Sequence, residues 1–375
     1  MELVHKHGEQ VKVKSDDNLI LFSVGPVEID PEIRRIGADP LPYFRTDEFS
    51  DMNRRMGSMI KQTVHAQDHS QVVFLTASGT GAMEAAVINT FAKGDRLLVI
   101  VGGAFGRRFA DICMLHGLEH TVLELKQGQA LTEKDLQLYR GKGFTGLLVN
   151  AHETSTGVLY DLPMIGQFCR QEGLLLIVDA ISSFLADLYY MWQWNIDVTI
   201  LSTQKALGLP PGLSMLVVNG RTVERMRGRR APSYYFNLNS YFDNMRRGQT
   251  PFTPAVGILL QLRRRLEQIE QQGVDKIIEH TAVLARDFRT RIVGLPFAIP
   301  SERLSNALTP LQPRNSVSAY DIYLHLKDNY KIVVCPNGGE LRNRLFRVGH
   351  MGHLTVDDNT RLINALAQMQ TEGLI

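Results

Sequence analysis

The chain has 375 residues, 44% hydrophobic and 21% charged, a composition close to ordinary globular usage and far from that of disordered or disulfide-built chains. Its 41 Lys and Arg against 39 Asp and Glu leave a formal charge of +2. That is too small for the footprint of a nucleic-acid or membrane-surface protein, so small molecules are the expected partners. Three cysteines, Cys113, Cys169 and Cys335, are odd in number, far apart and never in a C-x-x-C pair, which speaks against a disulfide framework or a zinc knuckle and fits a reducing cytosol.

The length predicts a large domain with a smaller one attached. Residues 1–20 read as a polar arm without a signal-peptide core, and no apolar run reaches the ~18 residues of a membrane span, so a cytoplasmic protein is expected. Leu19–Val24 is a short apolar run ended by the Gly25-Pro26 turn. From Gln71 onward, apolar β-rich runs alternate with helix-length segments: Val72–Leu75, Leu97–Val101, Leu147–Val149, Leu174–Val178, Val198–Leu201 and Met215–Val218. Runs apolar throughout suit strands buried on both faces, and their alternation with helices predicts an α/β fold with a mainly parallel sheet covered by helices. After Pro254 a long amphipathic stretch through Arg289, with Ile258, Leu259, Leu262, Leu266 and Ile269 at helical spacing, leads into a smaller C-terminal α+β domain. The expected boundaries are 1–20 for the arm, 21–270 for the large domain and 271–375 for the small one, with strands in the last at Ser316–Ser318, Lys331–Val334 and Leu345–Val348.

Two of the expected strands run into chemistry. Leu174–Val178 leads to Asp179, and Val198–Gln204 leads to Lys205. The spacing leaves room for one crossover, so both side chains emerge at the carboxyl edge of a parallel sheet, where α/β folds bind ligands. Pyridoxal phosphate needs such a pair: a lysine to form the imine and a carboxylate to keep the ring nitrogen protonated. Taken singly, such an aspartate is more often a helix cap and such a lysine more often solvated, so the surroundings decide. Ala77–Ala82 follows the strand Gln71–Thr76 and opens a helix at Met83–Ala86. Its glycines admit an anion to the backbone, the helix N-terminus supplies N–H groups, and Ser78 and Thr80 add hydroxyls. Read alone it is also an ordinary tight turn, and with Glu84 in place of a third glycine it is not a dinucleotide fingerprint. The polar cluster Ala151–Gly157, at the same sheet edge as Asp179, offers hydroxyls that suit either a pyridine phenolate or a helix cap. Arg347 sits among apolar neighbours in Leu345–Val348, where an unpaired guanidinium is costly and an anionic substrate group is a fitting bidentate partner. His350 and His353 have no third ligand nearby in sequence, so no metal site is expected.

From Phe22 onward the chain resembles the class V aminotransferases of pyridoxal-phosphate fold type I, near the alanine/serine–glyoxylate and 2-aminoethylphosphonate–pyruvate aminotransferases. The matching stretches, in the family's order, are Gly25–Val27, Ser78–Ala82, His152–Val158, Val178–Phe184, Ser202–Ala206 with Pro210–Gly212, Thr250–Pro254 and Phe346–Gly352. The resemblance implies Lys205 as the Schiff-base lysine and Asp179 as partner of the ring nitrogen. It implies Thr154 as a ring contact, Phe105 as the stacked aromatic, and Ser78, Gly79, Thr80 and Gln204 as phosphate ligands. Thr253 would reach the phosphate of a neighbouring subunit, giving a homodimer with shared sites, while Gly25 and Arg347 would contact substrate. The implied reaction passes an amino group from a small donor to a 2-oxo acid, with the freed lysine shuttling the proton. Two alternatives stay open. A lyase or cysteine desulfurase on the same scaffold needs a mobile cysteine, for which Cys335 at a strand end is the one candidate. A non-enzymatic pyridoxal-phosphate regulator would not need Lys205, Asp179 and Arg347 together. Arg45, Arg246 and Arg247 are further candidates for holding a phosphonate.

Overall fold

A computed structural model describes residues 19–375, so most of the expected arm lies outside the described residues. The described chain opens on β1 (Ile20–Phe22), then builds β2 (Gln71–Leu75), β3 (Arg96–Val101), β4 (Glu119–Glu124) and β5 (Gly146–Asn150). A hairpin of β6 (His152–Glu153) and β7 (Val158–Leu159) precedes β8 (Leu175–Asp179), β9 (Val198–Ser202) and β10 (Ser214–Val218). Seven of these strands form one sheet in the order β2-β10-β9-β8-β5-β3-β4, parallel except for β10, which runs against both neighbours.

Burial on both faces explains why the central strands are apolar throughout. Leu98, Ile100, Leu147, Val149, Leu176 and Val178 pack with Met56 and Ile60 of helix Asp47–Thr63 and with Leu262 and Leu266 of helix Val256–Gln272. Their alternates Leu97, Val99, Leu148, Ile177 and Ile200 pack on Ala82 and Ala86 of helix Gly79–Thr90 and on Phe109 and Cys113 of helix Ala104–Leu115. Each such side chain contributes about 1.5–3 kcal/mol of burial, so the sandwich of helices on a two-faced sheet is the stable arrangement. The strand β4 lay outside the sequence expectation because it is an edge strand of mixed exposure, Glu119–Glu124, with no continuous apolar run.

The C-terminal sheet has the order β1-β13-β14-β12-β11, from β11 (Phe297–Ala298), β12 (Leu308–Pro313), β13 (Ile332–Pro336) and β14 (Phe346–Gly349). Ile20–Phe22, at the expected join of arm and large domain, pairs in parallel with Ile332–Val334 of this sheet, and Phe22 sits in its core with Phe288, Leu326 and Phe346. Ser316–Ser318 is not a strand. The Ser318 side chain instead accepts from the Tyr320 and Asp321 N–H groups and caps helix Ala319–Tyr330, and the strand lies earlier, where Pro310 and Pro313 mask it. Lys331 is a left-handed helix cap, φ +60°, and β13 starts after it. The amphipathic stretch after Pro254 is two helices, Val256–Gln272 and Val274–Arg291, broken at Gly273 with φ +88°.

Candidate active site

The parallel pairing of β8 with β9 sets Asp179 opposite Ile200, so Asp179 closes one strand and Lys205 stands just beyond the end of the next. The connection between them is built of turns rather than a helix. Asp179 is 6% exposed and accepts from the Ile181 N–H at 2.9 Å. Burial raises its carboxyl to about 6, against the pull of that N–H and of Lys205. Lys205 is 8% exposed and donates to the Val24 carbonyl. Burial lowers its ammonium to about 8, with Cys335 and Asp179 pulling upward and Arg347 and Arg108 downward. A buried amine that sheds its proton near neutral pH is a ready nucleophile.

Gly25 closes over this lysine. It holds φ +117°, and a Cβ there would stand 2.6 Å from Lys205 Cδ. Gly25→Ala combines backbone strain of about 1–3 kcal/mol with displacement of Lys205. Cofactor affinity, read by absorbance titration, is therefore expected to fall about 10-fold or more, and unchanged affinity would detach Gly25 from the site.

The glycine turn lies beside the loop that follows Asp179. Helix Gly79–Thr90 starts at Gly79, four residues earlier than the sequence predicts, with Ser78 as its exposed N-cap, so the glycines form its first turn. A Cβ on Gly79 would lie 2.3 Å from Ile181 Cδ1, which fixes glycine where the two loops meet. The Thr80 hydroxyl accepts from Arg108 at 2.9 Å, and Arg108 lies over the Phe105 ring at 4.9 Å. Gln204 accepts from the Ser202 hydroxyl. Thr253 is exposed, on a bend anchored by the Ala255 N–H on Thr76 Oγ1 at 3.0 Å, and so sits near the end of β2.

Two residues that sequence reasoning left without a role organise this edge. Arg108 is the first, linking Thr80 to Phe105. Glu153 is the second. It is fully buried and accepts from the Gly106 N–H at 3.0 Å, the Phe105 N–H at 3.4 Å, Asn150 Nδ2 at 3.0 Å and the Ser155 N–H at 3.2 Å. A carboxylate at the first turn of helix Ala104–Leu115 satisfies orphan N–H groups and complements the dipole, and it ties Phe105 to the hairpin that carries Thr154. Gly103 makes room: a Cβ there would lie 2.6 Å from Glu153 Cδ.

Arg347 is 7% exposed in β14, opposite Cys335 of β13. The expectation of a guanidinium left unpaired until substrate arrives needs correction. Its NH1 donates to the Thr154 carbonyl at 3.1 Å, and its NH2 donates to the Pro336 carbonyl at 2.6 Å and to Cys335 Sγ at 3.1 Å. Nε is buried without a partner. Arg347 therefore ties the C-terminal sheet to the turn of the β6–β7 hairpin, a contact that neighbours in sequence do not reveal. Cys335 is half-buried within a strand and held by this arginine. Arg45 donates to Gln249 and the Thr250 carbonyl, and Arg246 and Arg247 are exposed, so none of the three joins this group.

The convergence tests well against pyridoxal phosphate. A buried amine of lowered pKa, a buried carboxylate one strand away, a helix N-terminus and a free Arg347 Nε are the donor set that this cofactor and an anionic substrate require. The model of the family described as Aminotransferase class-V matches residues 45–340. The chain belongs to the class-V aminotransferase family. It is a pyridoxal-phosphate-dependent aminotransferase of fold type I. The L-aspartate–glyoxylate aminotransferase of Paracoccus denitrificans is 27% identical over 89% of this chain and 87% of that protein. A protein named soluble hydrogenase, small subunit, from Synechococcus sp. strain PCC 6716 is 31% identical over 95% of this chain and 94% of its own length. Among solved structures, an alanine–glyoxylate aminotransferase from Nostoc sp. superposes with a TM-score of 0.91 at 24% identity, covering 97% of this chain and 98% of that one. Among the described residues of this aminotransferase, no helix is long and apolar enough to cross a membrane.

Proposed function

We propose that this aminotransferase moves an amino group from a small anionic donor, of the alanine, serine or 2-aminoethylphosphonate type, to pyruvate or glyoxylate. Arg347 carries this reading: a guanidinium buried close enough to lower the Lys205 pKa, with its Nε unclaimed, is built to receive a small anion. Relatives named for glyoxylate, including a serine–glyoxylate aminotransferase from Arabidopsis thaliana at 26% identity, support that acceptor. When bound, pyridoxal phosphate supplies an aldehyde for the amine and a protonated ring that takes up electrons. Asp179 holds the ring nitrogen, Thr154 meets the ring edge and Phe105 covers a face. Ser78, Gly79, Thr80 and Gln204 hold the phosphate, Gly25 lines the substrate side, and the freed Lys205 amine takes and returns the proton at the donor carbon.

The working form in this reading is a cytoplasmic homodimer, each subunit a large unit ending near residue 270 and a smaller one of 271–375, which the strand Ile20–Phe22 joins. Thr253 reaches the phosphate bound by the other subunit. Support comes from an exposed aromatic beside Thr253: Tyr234 is 87% exposed with its ring 5.7 Å from Phe252. Cys335, fixed in a strand and on Arg347, offers no mobile thiol for a desulfurase. The hydrogenase name gains nothing from the donor set, because no three His, Cys, Asp or Glu gather as metal ligands among the described residues. The test is a panel of donors and acceptors read by the change in cofactor absorbance between its aldehyde and amine forms. Conversion by alanine, serine or 2-aminoethylphosphonate, reversed by pyruvate or glyoxylate, is expected; conversion only by large or cationic donors overturns the assignment.

A further inference from the structure

Behind Thr154 lies a buried chain of polar groups. The Thr154 hydroxyl donates to Ser182 Oγ at 2.8 Å, and Ser182 donates to the His152 carbonyl at 3.2 Å. His152 Nδ1 lies 3.1 Å from the same Ser182 oxygen. All three side chains are more than nine-tenths buried, with His152 only 1% exposed. Burial pushes the His152 pKa down to about 3; the nearby Ser182 backbone opposes this, and the charges of Lys205, Arg289 and Arg347 add to it, so the ring is neutral. A neutral imidazole has one N–H. Nε2 is buried with no partner, so a proton there would be a stranded donor with its full desolvation penalty. The proton belongs on Nδ1, and His152 donates to Ser182.

We propose that His152 and Ser182 are positioning residues that release the Thr154 hydroxyl proton toward the phenolate oxygen of the cofactor. The inference rests on the assignment of Thr154 to the cofactor ring. Ser182 Oγ is a buried oxygen that needs donors. With the His152 N–H supplying one, the Ser182 proton is able to turn from the His152 carbonyl to Thr154 Oγ1, and Thr154 then donates outward. No covalent bond to hydrogen breaks; three donors align in series, His152 to Ser182, Ser182 to Thr154, Thr154 to the phenolate, each strengthening the next. Without the His152 N–H, the Ser182 oxygen has no other donor in this chain and keeps the Thr154 proton turned inward. A phenolate that accepts this bond is less basic, which lowers the pH at which the lysine-linked cofactor loses its imine proton.

The experiment is a pH titration of the visible absorbance of the cofactor-loaded protein. Thr154→Val is expected to raise the midpoint by about one pH unit, the loss of one hydrogen bond to a charged group. His152→Phe is expected to move most of the way to that value, and His152→Asn, which keeps a donor near the Nδ1 position, to stay near wild type. Ser182→Ala removes the inward acceptor, so its midpoint stays near wild type, and the double variant H152F/S182A returns from the shifted value to the unshifted one. A packing defect at His152 would not be repaired by shaving Ser182. A shifted Thr154→Val with an unshifted His152→Phe, or a double variant that remains shifted, overturns the relay and leaves Thr154 in place. An unshifted Thr154→Val removes Thr154 from the ring and the relay with it.

Discussion

Lys205→Ala is expected to abolish covalent capture of pyridoxal phosphate: the wild type is yellow and acquires a borohydride-stable link at this residue, and the variant does neither. Turnover should fall by roughly 10²–10⁴ or more, the range for a positioned acid–base group, because the same amine also carries the proton. The site adds a pH signature. Only the free amine attacks an aldehyde, and burial has lowered the Lys205 pKa from 10.5 to about 8. A lowered lysine pKa means that the free-amine fraction rises through pH ~8 and then saturates, where an ordinary lysine at about 10.4 would still be gaining. Stopped-flow capture of the cofactor by the unloaded protein should therefore climb to pH about 8 and level off above it. A rate still rising steeply at pH ~10 would show a solvated lysine instead.

The large sheet and the Asp179–Lys205 pair are visible in the sequence for the same physical reason. Strands buried on both faces exclude charged residues along their length, so the first charged group after each apolar run marks the sheet edge, and Asp179 and Lys205 follow two such runs. The turn at Ser78–Thr80 was readable as a strand-to-helix turn because glycine and hydroxyl residues suit a tight turn and a helix start. What stayed hidden depends on contacts distant in the chain. Glu153 reaches the first turn of a helix some 47 residues earlier, and its value lies in N–H groups that every helix possesses. Arg108 and the Arg347–Thr154 bridge likewise join segments that no local pattern links, the second across 193 positions. Edge strand β4 and proline-containing β12 were hidden differently, by lacking the two-sided burial or the ladder N–H groups that make a strand conspicuous.

Arg347→Lys separates substrate recognition from cofactor chemistry, and the structure refines what it should do. Lysine keeps the positive charge and loses the planar fork. Loss of the charge-assisted hydrogen bond to the anion costs about 1.5–3 kcal/mol in transition-state binding, so catalytic efficiency is expected to drop roughly 10- to 150-fold in both half-reactions. The deficit should sit largely in KM for donor and acceptor alike, since the anion is common to both. Because Arg347 also donates to the Thr154 and Pro336 carbonyls, the variant should in addition lose about 1–3 kcal/mol of stability, seen as a lowered Tm of the unloaded protein. The visible band of the lysine-linked cofactor should survive, for Asp179 at the end of β8 and Lys205 beyond β9 make no hydrogen bond to Arg347. Normal turnover by Arg347→Lys would place the anion on another cation. Loss of the band in folded protein would make the bridge to Thr154, rather than substrate binding, the principal work of this arginine.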